Sequence, residues 1–147
     1  MRKNERLRVA LHVLLHMGER PEQPMTSDQM AGCVGTNPVV IRRTFAGLRE
    51  AGIVTSVKGH GGGWRLARAP EAISVAEIQR ALGEQVFSLT SAEEKPQCLV
   101  LRSVIHALDD AMQEAERVLE QRLLKLSLAD LAADVQKMAP GSRRHAI

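Results

Sequence analysis

A chain of 147 residues holds one compact domain with room for an appendage, and its 44% apolar content is too high for disorder throughout, although only 2% is aromatic and tyrosine is absent. No apolar run reaches the roughly 18–20 residues of a membrane span, and the first residues continue into an amphipathic pattern without a secretory cleavage site. With two cysteines, too few for a disulfide framework, a soluble cytoplasmic protein is expected. The net charge of +3 is uneven, about +6 in residues 1–70 against −3 in 71–147, which marks the front half as the part that meets a polyanion.

The first helix is expected over 5–17. Leu7, Ala10, Leu11, Leu14 and Leu15 recur at three- and four-residue spacings, with Val9 and Val13 widening the stripe. Gly18 is its expected stop, and Pro21 and Pro24 keep the next segment open. Thr26 followed three residues later by Gln29 is a capping box, which starts a short helix ending by Gly35. Asn37-Pro38 then combines a preferred N-cap with a proline whose missing N–H costs nothing in the first turn. The third helix carries Val40, Ile41, Phe45 and Leu48 as its buried stripe and closes at Gly52. Two helices across a short glycine-containing turn have the layout of a helix-turn-helix.

After Gly52 the period changes. I-V-T-S-V (53–57) is β-branched and alternating, and W-R-L-A-R (64–68) alternates again, with Trp64 and Leu66 on one face. The intervening K-G-H-G-G-G then turns a β-hairpin. Three helices and a hairpin, in that order, make a winged helix. A phosphate-binding glycine loop would instead open a helix. No nucleophile–base pair or paired carboxylates lie nearby, so an enzymatic role for this loop is disfavoured. Exposed rings for stacking single-stranded nucleic acid are also scarce.

Ser74 with Glu77 is a second capping box, opening a helix buried through Val75, Ile78 and Leu82. Residues 84–97, polar from 88 onward, are expected to be a loop. A long helix follows from about Cys98 to Lys125, its stripe formed by Leu101, Val104, Ile105, Leu108, Ala111, Met112, Ala115, Val118, Leu119 and Leu123. At 1.5 Å per residue it extends about 40 Å, more than the winged helix can cover. Its simplest partner is the same helix of a second chain, with the last helix, capped by Ser127 and Asp130 and running through Met138, packed alongside. An intramolecular pair with residues 127–138 is the alternative, but that segment is under half as long. The expected fold is mainly α with a small β-hairpin: a winged helix-turn-helix domain (1–83), a loop (84–97), dimerisation helices (98–139) and a disordered tail (140–147).

A-L-H-V-L-L-H-M in the first helix, N-P-V-V-I-R-R-T-F-A-G-L-R-E-A-G in the third, I-V-T-S-V-K-G-H-G-G-G-W-R-L-A-R in the wing and A-I-S-V-A-E-I after it form one ordered set. With that set the chain resembles the Rrf2 family of bacterial transcription regulators over about residues 5–138. The resemblance implies a homodimeric winged-helix protein that binds a palindromic DNA operator, usually as a repressor. The physical reading agrees. The N-terminal residues of the second helix of a helix-turn-helix reach base edges in the major groove, here Asn37, Val39, Val40, Arg42 and Arg43. Arginine can fork onto guanine and valine can pack on a thymine methyl. Phosphate contact for either arginine, and a core position for Val40, remain the alternatives. Thr26, Ser27 and Gln29 are placed to donate to phosphates beside the groove. Lys58, Gly59 and His60 form the wing tip, expected at the minor groove or backbone. A winged-helix protein-interaction module that has lost operator binding is the rival reading.

Several Rrf2 relatives hold an iron–sulfur cluster through three cysteines near the start of the long helix, some adding an acidic residue from the partner's first helix. This chain has one cysteine there, Cys98, and Arg8 at the position matching the acidic ligand, so no cofactor and no metal site is expected. Cys98 at a helix N-terminus is a candidate redox thiol, whose thiolate the helix dipole would stabilise. Cys33 reads as a small core residue. His12 and His16, spaced i and i+4, offer two metal ligands, but the sequence shows no third beside them.

Overall fold

The computed structural model describes residues 5–83 and 97–138. The tail expected over 140–147, and all of the expected 84–97 loop except Gln97, lie outside the described residues. The chain runs through helices α1 (Glu5–Glu19), α2 (Ser27–Val34) and α3 (Pro38–Glu50), then strands β1 (Val54–Val57) and β2 (Gly63–Leu66). A single 3-10 turn (Pro70–Ala72), α4 (Val75–Leu82), α5 (Leu99–Leu124) and α6 (Leu128–Met138) follow. The expected order of elements is present, and the fold is the mainly helical winged helix with a long C-terminal helix.

Local caps set the boundaries. Thr26 Oγ1 accepts from the Gln29 N–H at 3.2 Å while Gln29 Oε1 accepts from the Thr26 N–H at 2.9 Å, closing the box that starts α2. Gly35 ends α2 in the left-handed conformation. Asn37 Oδ1 accepts from the Val40 N–H at 3.0 Å and starts α3. By contrast, α1 runs through Gly18 to Glu19, two residues past its expected end at Met17. A glycine inside a helix costs only about 1 kcal/mol, and Met17, buried in the core beside it, holds the last turn in place.

The core gathers Ala10, Val13, Leu14 and Met17 from α1, Met30 from α2, Ile41, Phe45 and Leu48 from α3, and Ile53, Ile73, Ile78 and Leu82 beyond. On α3 the buried set is Ile41, Thr44, Phe45 and Leu48, whereas Val40 is only half-buried. Helical spacing from Ile41 places Thr44 on the inner face and Val40 at its edge. An added Cβ at Gly47 would come within 2.8 Å of the Ala81 carbonyl, so α3 and α4 approach at a distance that only glycine permits.

The hairpin is antiparallel, Val54 opposite Leu66 and Val57 opposite Gly63. Trp64 also exchanges two backbone hydrogen bonds with Met25, at 2.8 and 3.0 Å, tying the returning strand to the segment before α2. The last helix departs from expectation. The Leu128 N–H donates to Ile73 O (3.0 Å) and the Val75 N–H to Leu126 O (2.8 Å), so α6 starts against the segment leading into α4. Leu128 is buried there, and α6 packs on the 3-10 turn and α1 instead of lying along α5. No residue of α5 is buried. Leu101, Val104 and Leu108 are each about half exposed, at 48, 49 and 48%.

Candidate nucleic-acid interface

The first turns of α3 present their polar and cationic residues outward. Asn37, Val39, Arg42 and Arg43 are exposed, Val39 at 56%, while Ile41, Thr44 and Phe45 face the core. Pro38 and the Asn37 cap fix where the helix begins, and with it which residues its first turns offer. Arg42 and Arg43 have no ion pair or side-chain hydrogen bond among the described residues. Thr26 and Gln29 are exposed at the head of α2, and their capping bonds leave the Thr26 O–H and the Gln29 amide N–H groups as donors. Ser27 has a structural task that the sequence did not reveal: its Oγ accepts from Trp64 Nε1 at 3.1 Å.

Trp64 is the joint between the wing and the helix-turn-helix. Besides that hydrogen bond it packs on Phe45, ring centroids 5.6 Å apart and tilted by 59°, and the Arg49 guanidinium carbon lies 6.0 Å from its ring centre. One residue before it, an added Cβ at Gly63 would come within 2.5 Å of the Met25 carbonyl, and its φ of 147° also disfavours any side chain. The hairpin tip is closed by the Gly62 N–H donating to Gly59 O at 3.0 Å, with Lys58 and His60 exposed on it. Lys58 and His60, like the α3 arginines, have no ion pair or side-chain hydrogen bond among the described residues. Three arginines are committed instead: Arg65 Nη2 donates to Glu22 O at 2.8 Å, Arg68 Nη2 to Glu77 Oε1 at 3.0 Å, and Arg80 Nε to Glu120 Oε1 at 2.8 Å. Arg65 is therefore a strut between β2 and the α1–α2 connection.

The two cysteines sit in unlike surroundings. Cys98 is exposed at the head of α5, where the backbone N–H groups of Leu101 and then Val100 hold its thiol below the usual range. Cys33, expected in the core, is only half-buried, and desolvation pushes its thiol up. It also corrects the expectation that His12 and His16 lack a third ligand. Cys33 Sγ lies 3.9 Å from His12 Nε2, and one ligand atom from each of His12, His16 and Cys33 lies within 4.8 Å of the others. The separation of His12 and Cys33 by twenty-one positions hides this cluster from any local spacing rule.

Residues 3–134 match the model of Rrf2, described as iron-dependent transcriptional regulators. The chain belongs to the Rrf2 family. It is therefore a DNA-binding transcriptional regulator. Among relatives of this Rrf2 protein is YwnA of Bacillus subtilis (strain 168), assigned by name to the HTH-type transcriptional regulators. It is 36% identical over 131 residues, which cover 87% of this chain and 95% of YwnA. The HTH-type transcriptional regulator IscR of Erwinia tasmaniensis (strain DSM 17950 / CFBP 7177 / CIP 109463 / NCPPB 4357 / Et1/99) is 28% identical over 95% of this chain and 86% of its own length. Among solved structures, T. potens IscR superposes with a TM-score of 0.67 at 23% identity, covering 98% of this chain and 93% of that one. CymR, the global cysteine regulator of B. subtilis, superposes with a TM-score of 0.61 at 23% identity over 91% of this chain and 98% of that one. At such identities the superpositions establish the shared fold.

An iron–sulfur cluster finds no matching donor set here. A cluster takes about four thiolate or imidazole ligands. The chain has two cysteines, one in α2 and one heading α5, and Arg8 on α1 is ion-paired with Glu5. These residues do not fit a thiolate-held cluster.

Proposed function

We propose that this Rrf2 protein is a homodimeric, sequence-specific repressor that reads a palindromic operator. Asn37, Val39, Val40, Arg42 and Arg43 enter the major groove, Thr26, Ser27 and Gln29 hold phosphates beside it, and Lys58, Gly59 and His60 follow the adjacent minor groove or backbone. The observation that carries this reading is the division of the cations. Arg42, Arg43 and Lys58 are exposed without partners among the described residues, whereas Arg65, Arg68 and Arg80 are spent on internal carboxylates and carbonyls. Unspent cations are what a polyphosphate recruits, each neutralised phosphate releasing a counterion. The open stripe of α5 supports the dimer, in a form that places two α3 helices on successive half-sites. A chain working on DNA in this way acts in the cytoplasm.

Footprinting on the DNA upstream of its own gene tests the reading. Arg42→Ala and Arg43→Ala should each cost about 1–3 kcal/mol where the side chain reads a base, with specificity relaxed at one position. Lys58→Ala should weaken all duplexes alike and lower the salt slope by about 1. Equal affinity of the wild type for its upstream DNA and for random duplex would defeat the proposal.

A second reading, that oxidants act through Cys98, is favoured by its exposure and lowered thiol. Cys98→Ser should then make operator binding indifferent to peroxide. An unchanged peroxide response in that variant would remove Cys98 from consideration.

A further inference from the structure

His12 and His16 lie one turn apart on α1, their ring centroids 5.0 Å apart, and Cys33 meets them from near the end of α2. This is the group of three histidine, cysteine or carboxylate ligands that the described residues bring together. We propose that His12, His16 and Cys33 form a site for a borderline divalent cation of the zinc type, clamping α1 to the helix-turn-helix.

The donor set selects the cation class. Two imidazoles and one thiolate suit zinc or cobalt(II), whereas magnesium and calcium seek oxygen. Zinc binds nitrogen at about 2.0–2.1 Å and sulfur at about 2.3 Å, so tetrahedral donors stand roughly 3.3–3.7 Å apart. Cys33 Sγ and His12 Nε2 are already 3.9 Å apart, and closing a 4.8 Å triangle takes side-chain rotations of the order of 1 Å. The surroundings also suit a metal. The Glu19 carboxylate lies 3.6 Å from His16 Nδ1, a small rotation from the hydrogen bond by which a carboxylate orients a metal-bound histidine. His12 is exposed, which gives the cation an entry path and leaves a fourth position for water. On binding, the Cys33 thiol gives its proton to solvent and its sulfur bonds the cation, with no change of oxidation state.

Cys33 stands two residues before Gly35, the left-handed residue that opens the turn into α3. A cation held there would fix α2, and through it the start of α3, relative to α1. This consequence rests on the DNA-binding reading; the site itself does not.

The test uses the reduced, metal-free, full-length protein titrated with Co²⁺. One equivalent per chain should give visible bands of tetrahedral intensity and a near-ultraviolet thiolate-to-cobalt charge-transfer band, both displaced by Zn²⁺. Cys33→Ser should lose the charge-transfer band, Cys98→Ser should retain it, and His16→Ala should lose the stoichiometric end point. Glu19→Gln should weaken Co²⁺ binding about 10–100-fold. Zn²⁺ should also protect Cys33, and not Cys98, from alkylation in the wild type, a readout that survives any misfolding of the variants. Absence of the charge-transfer band in the wild type, its loss in Cys98→Ser, or alkylation of Cys33 unaffected by Zn²⁺ would overturn the proposal. None of these readouts involves DNA, so their failure is distinct from failure of the operator reading.

Discussion

The winged-helix body and the long helix α5 are written with the same apolar grammar and end in opposite states. In the body, Leu14, Phe45, Leu48, Ile53, Ile73 and Ile78 are fully buried. On α5, with leucines and valines at the same three- and four-residue spacings, no residue is buried. The body closes because α1, α2, α3 and α4 pack on one another, so each apolar face finds another in the same chain. The long helix reaches well beyond α4, which it meets around the Arg80–Glu120 pair. An apolar stripe thus states that a helix has a face to bury; it does not name the partner. A contiguous exposed patch of this kind marks an interaction surface on an otherwise well-packed protein.

The contrast can be broken at its strongest point first. Phe45→Ala, in the body, should cost about 3–5 kcal/mol of stability in chemical denaturation, from lost transfer energy and the cavity left behind. Leu108→Glu, on α5, should instead leave the melting of the body within about 0.5 kcal/mol while shifting the sedimentation of the proposed dimer to that of a monomer. If Leu108→Glu melted like Phe45→Ala, the stripe would belong to the fold of one chain and the distinction would fail.

A smaller effect sharpens the picture inside the body. The Glu77 carboxylate is held below its ordinary value, first by the Ser74 backbone N–H and then by Arg68, after a smaller opposing effect of burial. A lowered carboxylate stabilises the fold above its unfolded value of about 4.3. That contribution is lost as the pH falls through the lowered folded value. Glu77→Gln should therefore cost under about 1 kcal/mol at neutral pH, since the pair is screened by solvent. The difference from wild type should vanish in strong acid, as followed by thermal melts across the pH range.

Much of the fold was legible in short words. Thr26 with Gln29, Asn37 with Pro38, Ser74 with Glu77, and Ser127 with Asp130 each mark a helix start, and each capping bond is present. The glycine run after Lys58 was readable as a hairpin tip because a phosphate loop would have led into a helix. The expected interface on α3 rests on the same local logic, since the Asn37 cap fixes which residues occupy the first turns. What the sequence left unread are encounters between distant segments. Ser27 also serves Trp64, and Arg65 braces Glu22. Cys33 was assigned to the core and stands beside His12.

Capping and periodicity act over three or four residues, so the order of the elements, their starts and their apolar faces were settled along the chain before any packing. Which faces meet depends on the path of the whole backbone, for which no short pattern is a code. Packing alone seated α6 on α1 and left α5 open. It joined the wing to α2 through Trp64 and Ser27, thirty-seven positions apart, and closed two histidines and a cysteine into one cluster.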